Sequence, residues 1–134
     1  MAKVTGLGWT TLSCDNAAAV LKDIKNDVTN LDFATPYNTQ EVTGVDLFAV
    51  ERLSLLADCS GTLNCVFNPS ADRSHAVLGE GDMRVQRTLS LTVAGKSLSN
   101  EVLLTDYAVT RAAGGELTTA SPFVLANGVV PTWT

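Results

Sequence analysis

His75 follows Ser74, the one place in the chain where a hydroxyl and an imidazole are neighbours. Nucleophilic catalysis needs its serine presented on a sharp strand-to-helix turn, and no G-x-S-x-G run supplies one. His75 therefore reads as a surface or helix-packing residue. Asp58 and Asp106 sit on strand-like runs and could be imagined as an acid/base pair. Nothing in their spacing marks them as partners, and acids facing water account for both. The run Gly79-Glu80-Gly81-Asp82 puts two acids where a phosphate cradle needs bare backbone donors, and no Lys-Ser/Thr closes it. Arg84, Arg87 and Arg111 lack the interleaved aromatics of a single-strand nucleic-acid binder. Cys14, Cys59 and Cys65 come with a single histidine and no Cys-x-x-Cys pair, a poor metal set. Cys59 and Cys65 fall on one expected strand, roughly 20 Å apart, too far for a disulfide without a fold-back. Free, partly buried thiols are the expectation. So is a chain that is not an enzyme and uses no cofactor or metal.

Composition bounds the alternatives. A chain of 134 residues and 14.1 kDa suits one domain with a real core. An apolar fraction of 46% argues against global disorder. The net charge of -5 offers no basic face for a phosphate backbone. No run reaches the ~18 apolar residues of a membrane span, and the start of the chain has no hydrophobic signal region. A cytoplasmic product without membrane partners is expected.

The elements that would position these residues are strands. From 53 to 67 one alternate set reads Leu53, Leu55, Ala57, Cys59, Gly61, Leu63, Cys65, Phe67, and the other is mostly polar. That period of two predicts one long, half-buried central strand, bent or bulged near Gly61. Before it, residues 28–33 alternate, with Thr29, Leu31 and Phe33 toward the core. Pro36-Tyr37-Asn38-Thr39-Gln40 interrupts the sheet, so 34–45 reads as a loop or long hairpin arm. A helical turn is expected from Asp46 through Arg52. After the turn 68–72, residues 70–79 predict a short helix ending at Gly79. Strands are expected over 84–93, 101–110 and 117–125, with 94–97 as a tight connection. Pro122 marks an edge, a bulge or a break in the ladder.

Six or seven strands with one or two short helices predict a mostly β fold. The expected architecture is an antiparallel β-sandwich or partly closed barrel with extended terminal arms. Crossover helices for a parallel α/β fold are missing. The organisation reads as an N-terminal arm (1–18), one sandwich domain (19–126) and a C-terminal tail (127–134). Trp9 and Trp133, one in each arm, either pack on their own domain or dock on a neighbour.

The stretch 28–41, the turn at Gly44-Val45-Asp46, the run 53–67 ending in Asn68-Pro69, and the helix around His75-Ala76-Val77-Leu78 carry a resemblance. They resemble the tail tube (major tail) proteins of long-tailed, non-contractile bacteriophages. The resemblance implies a β-sandwich with a flanking helix that self-associates into hexameric rings. Those rings stack into a hollow tube that conducts DNA without binding it specifically. It implies as partners an internal tape-measure protein, a tail terminator and tail-tip proteins, and a place in the virion tail after assembly in the host cytoplasm. By that analogy the loop 34–50 and both termini reach adjacent subunits, with Trp9, Pro36, Tyr37, Asn38, Thr39, Gln40 and Trp133 at the interface. A lumen wall should be polar with few bases, which points to Ser54, Asp58, Ser60, Thr62 and Asn64 on one strand and Asn100, Asp106 and Thr110 on another. Six copies at -5 carry -30 per ring, a charge that repels DNA phosphates. The rival readings are a capsid-decorating or other non-tube virion domain, and a ligand-binding β-sandwich.

Overall fold

The computed structural model describes residues 3–134. Its strands are β1 (Thr11–Asp15), β2 (Leu21–Asp23), β3 (Val28–Ala34), β4 (Tyr37–Glu41), β5 (Arg52–Ala57), β6 (Ser60–Val66), β7 (Arg87–Val93), β8 (Lys96–Leu104), β9 (Ala108–Arg111) and β10 (Leu117–Leu125). One π-helical turn, His75–Gly79, lies between β6 and β7. Eight strands form one antiparallel sheet in the order β2-β1-β7-β8-β10-β6-β3, with β9 beside β10. Strands β4 and β5 form a separate two-stranded ribbon.

The large sheet curls on itself because the short turn after β2 draws its two ends together. Ile24 donates to the Leu12 carbonyl (3.1 Å), Val28 to the Ile24 carbonyl (3.3 Å) and Val66 to the Asp27 carbonyl (3.0 Å). The expected antiparallel sandwich, close to a partly closed barrel, is the architecture the chain adopts. Alternation explains which side chains fill it. Leu12 and Cys14 (β1), Leu63 and Cys65 (β6), Leu89 and Leu91 (β7), Leu98, Val102 and Leu104 (β8) and Phe123 (β10) all point inward, and Val77 and Leu78 cap them from the helical turn. Each full burial of such a side chain contributes about 1.5–3 kcal/mol. A void of only about 10 Å³ remains among Phe33, Leu89, Phe123 and their neighbours, so the packing is tight.

The chain has ten strands, more than the six or seven expected, because Thr11–Asp15 and Tyr37–Glu41 also form strands and because two runs read as single strands are each broken. The run 53–67 divides at Asp58, whose amide donates to the Pro36 carbonyl (2.9 Å) while its carboxylate accepts from the Cys59 amide (2.7 Å). That local bonding turns the chain, so β5 enters the ribbon and β6 the main sheet. Gly61 makes no bend; it lies within β6, where a Cβ would run into the Asp32 carbonyl oxygen of β3. The run 101–110 breaks in the same way at Asp106, whose carboxylate accepts from the Tyr107 amide (2.7 Å). Opposite this break lies Pro122 of β10, which is an interior strand. Its partner changes from β9 to β8 there, and its carbonyl accepts from the Thr105 amide (2.9 Å). The missing proline N–H thus falls at a break in the ladder.

Other expectations shift by shorter distances. A register irregularity between Val28 and Asn30 turns Val28 toward the core and leaves Thr29 exposed. No helix forms over 46–52; Leu47 donates to the Gly44 carbonyl (3.1 Å) in a turn at the ribbon's tip. Within the expected N-terminal arm, Thr11–Asp15 is a largely buried strand, which leaves 3–10 outside the sheet. The C-terminal tail folds back, with Thr134 and Ser97 exchanging two backbone hydrogen bonds (2.9 and 3.0 Å) and Trp133 lying against Phe33 at 5.8 Å between ring centroids. Ala94 (φ 51°) and Gly95 (φ 77°) make the tight β7–β8 turn, both in the left-handed region such a hairpin favours.

Candidate functional site

The residue types that could do chemistry are held apart or used structurally. Ser74 Oγ donates to the Val66 carbonyl (2.7 Å), so it is turned away from His75. His75 Nδ1 lies 2.9 Å from the Tyr107 hydroxyl and its Nε2 lies 3.5 Å from Glu80, with Phe67 stacked at 4.5 Å. Asp58 and Asp106 each cap the residue that follows them, and no contact joins them. Asp82 pairs with Arg84 (2.9 Å), whose hydrogen bonds hold its carboxyl down at about 2, so Arg84 stands in a loop before β7 with its charge answered. All three cysteines are free and buried. Burial pushes Cys14 up to about 12 and Cys65 up to about 11, and also raises Cys59. Thiols held so firmly protonated are poor nucleophiles and ligands. Among the described residues no group of three His, Cys, Asp or Glu side chains could hold a metal.

Two buried polar centres tie the elements together. Arg87, fully buried on β7, donates from its guanidinium to the carbonyls of Asp15 (3.2 Å), Val77 and Asp82 (3.3 Å). Asp27 accepts from the Asn68 side chain (3.1 Å) and the Ser74 amide (3.1 Å), which pins the helical turn to the bend between β2 and β3. Each satisfied charge-assisted bond of this kind contributes about 1.5–3 kcal/mol. These centres fix the scaffold; they face no cleft.

What the scaffold holds out to solvent is the β4–β5 ribbon. Every residue of β4 is exposed, and on β5 only Ala57 is half-buried. Both faces carry large apolar side chains: Tyr37 on β4, Leu53, Leu55 and Leu56 on β5, and Val45, Leu47, Phe48 and Val50 at the tip. Val45 and Phe48 are completely exposed, at 109% and 107%. An isolated two-stranded ribbon is marginal in water. Here the base bond from Asp58 to Pro36 and, toward the tip, the bonds from Val42 to Glu51 (2.9 Å), Glu51 to Thr43 Oγ1 (2.9 Å) and Leu47 to Gly44 (3.1 Å) flank its ladder. Two solved structures share the fold of this chain. One is a chain of the virion of a native gene transfer agent particle, 14% identical over 98% of this chain and 99% of that one, with a TM-score of 0.68. The other is a chain of the tail of an empty gene transfer agent particle, described with helical refinement and C6 symmetry. It is 14% identical over 98% and 99% of the two chains, with a TM-score of 0.71. No family model and no curated protein matches.

The residues expected at an interface divide between ribbon and body. Tyr37, Asn38, Thr39 and Gln40 form β4, and Pro36 accepts the bond that closes the ribbon's base. Trp9 is partly buried against its own core, and Trp133 packs on Phe33 while remaining 42% exposed. The residues expected on a lumen wall do not form one set. Ser60, Thr62 and Asn64 share the outer face of β6 with their cross-strand partners Asp32 and Asn30 of β3, and Thr110 of β9 joins that face through Thr118 of β10. Ser54 sits on the ribbon instead, and Asp58 and Asp106 sit in the bends. Asn100 points the other way: its amide lies 3.7 Å from the Cys59 sulfur, lining the interior void, so it cannot belong to an outer wall. The apolar residues of β5 and the tip were missed as a surface. The available signal was the adjacent pair Leu55-Leu56, which makes both faces of a strand apolar, as a strand half-buried in its own domain rarely is.

Proposed function

We propose that the chain is a structural subunit of a phage-type tail tube. It associates with copies of itself into rings, six to a ring by analogy with the C6 tail chain of the same fold, and the rings stack into a hollow tube that conducts DNA. The reading rests on one observation, the β4–β5 ribbon that exposes eight large apolar side chains its own domain does not cover. Five of the eight are only about half exposed in the isolated chain, so burying what remains against neighbours, at about 1.5–3 kcal/mol for a fully exposed side chain, gives on the order of 8–16 kcal/mol. That is comparable with or above the roughly 4–15 kcal/mol cost of association, and contacts repeated round a ring add to it.

In this reading the outer face of β3, β6, β10 and β9 lines the lumen. By register that face carries Asn30, Asp32, Ser60, Thr62, Asn64, Thr110 and Thr118, interspersed with the apolar Val66, Pro122 and Val124, and no base. Such a wall carries DNA past without holding it. A tape-measure protein would fill the lumen before DNA does, with terminator and tip proteins at the two ends.

The test replaces Tyr37–Ala57 by an Asn-Gly turn, which the hydrogen-bonded pair Pro36 and Asp58 can accept. The unaltered chain is expected to form tubes by negative-stain electron microscopy. The shortened chain is expected to stay a folded monomer by circular dichroism and size-exclusion chromatography. Normal tubes from the shortened chain would sink the role given to the ribbon.

A further inference from the structure

Three asparagine side chains fold back on the main chain in the same way. The side-chain carbonyls of Asn16, Asn68 and Asn127 accept from the amides of Ala18 (3.0 Å), Ser70 (3.1 Å) and Val129 (3.1 Å), two residues on in each case. Such a turn brings the carboxamide beside the peptide nitrogen of the residue between. The amide donor also polarises the side-chain carbonyl, so its carbon is open to attack by that nitrogen. The three turns differ in the residue that carries the nitrogen. Pro69 has no N–H to lose. Ala17 has one, but its methyl group stands beside it and is packed against Gly81. Gly128 has an N–H with no side chain next to it, a φ of 73°, open space around its Cα and no hydrogen-bond acceptor among the described residues. Asn127 and Gly128 are both exposed, and they form the only Asn-Gly pair in the chain.

We propose that Asn127 is a site of self-modification, its carboxamide being lost through an imide formed with Gly128, and that the change frees the C-terminal tail from the body. The Gly128 amide gives its proton to solvent base, and its nitrogen bonds to Asn127 Cγ. The bond from Cγ to the side-chain nitrogen breaks, and that nitrogen leaves as ammonia. Water then opens the imide. Opening at Cγ leaves an aspartate. Opening at the Asn127 backbone carbonyl leaves an isoaspartate, in which the main chain runs through the former side chain and is longer by a methylene. Either product adds a negative charge to the net -5. The position gives the change its consequence. Just upstream, the Ala126 amide holds the Glu101 carbonyl (3.0 Å). Just downstream, Pro131 is buried, Trp133 lies on Phe33 and Thr134 pairs with Ser97. A main chain lengthened between these fixed points moves the tail out of register with β8 and draws Trp133 off Phe33. The chemistry is the same whether or not the chain forms tubes.

The experiment incubates the Trp9→Phe chain, in which Trp133 is the one remaining tryptophan, at neutral and mildly alkaline pH. Peptide mapping by mass spectrometry with electron-transfer fragmentation measures aspartate and isoaspartate at each asparagine, and the emission of Trp133 follows the tail. The expected result is conversion at Asn127, faster in proportion to hydroxide, while Asn16 and Asn68 stay intact. A red shift of the emission should grow in step with the isoaspartate fraction. Asn127→Gln, whose longer side chain would have to close a six-membered ring, should suppress both changes. Freshly prepared Asn127→Asp, which carries the charge on an unaltered main chain, should show little of the shift. An intact Asn127 after an interval in which the urea-unfolded chain converts would overturn the site. Conversion at Asn16 ahead of Asn127 would overturn the part given to Gly128. Conversion at Asn127 with unchanged Trp133 emission would overturn the release of the tail.

Discussion

Strands β5 and β6 are consecutive, similar in composition and opposite in fate. Leu63 of β6 is fully buried, whereas Leu53 and Leu55 of β5 are each about half exposed, at 53% and 51%. All three occupy the same alternate set of one uninterrupted period-two run. The difference is made by two residues between them, where Asp58 caps the chain and Cys59 is drawn into the core, its carbonyl accepting from the Leu125 amide (2.8 Å). Below that point the strand has neighbours on both sides, β3 and β10; above it, only β4. Apolar alternation thus specifies a surface to be covered and leaves open whether the cover comes from the same chain.

Truncating the two leucines gives the largest separation between these regions. Leu63→Ala is expected to lower unfolding free energy by about 2–5 kcal/mol. Leu55→Ala should stay within about 0.5 kcal/mol of the parent as a monomer, while weakening assembly. Urea denaturation of both variants measures the first effect, and the protein concentration needed for tube formation measures the second. Equal losses in urea would mean that β5 belongs to the monomer's core.

The buried thiols sharpen the contrast through pH. Cys14 and Cys65 have folded-state values raised to about 12 and about 11 from 9.0, because burial opposes the thiolate. The folded state therefore holds protons that the unfolded state releases. The associated stability is complete below pH 9.0, declines as pH rises, and is lost through about 11 for Cys65 and about 12 for Cys14. Above pH 9 the expected slope is at most about 1.4 kcal/mol per pH unit for each thiol. Cys14→Ala should flatten it when stability is measured across this range, and an unchanged slope would assign the decline to other groups.

The smallest effect concerns the outer face of β6. Thr62→Cys or Asn64→Cys should react with a bulky maleimide in monomers and, on the proposal that this face lines the lumen, be protected in assembled tubes. Labelling of tubes as fast as of monomers at both positions would exclude a lumen wall there.

The readable part of the fold was local. Val85 to Val93 alternates and 94–97 must turn tightly into a following strand, so a hairpin there and the antiparallel class follow from period and turn chemistry, although that strand, expected over 101–110, starts at Lys96. Of the candidate surface, Tyr37 to Gln40 could be picked out because Pro36 breaks the ladder before them. Phe48 could not, and the one signal nearby, Leu55 adjacent to Leu56, marks both faces of the strand as apolar without saying which chain will cover them. The inward turn of Asn100 depended on register, and one residue's slip reverses a face. Arg87 is the clearest case of what tertiary structure alone decided. The sequence by itself placed it in the apolar alternate set with Leu89 and Leu91. A cation can stay there only because carbonyls of Asp15, Val77 and Asp82, from three separate segments, converge on its guanidinium. A buried charge needs that many acceptors to offset its lost hydration, and no local pattern records where in the chain they will come from.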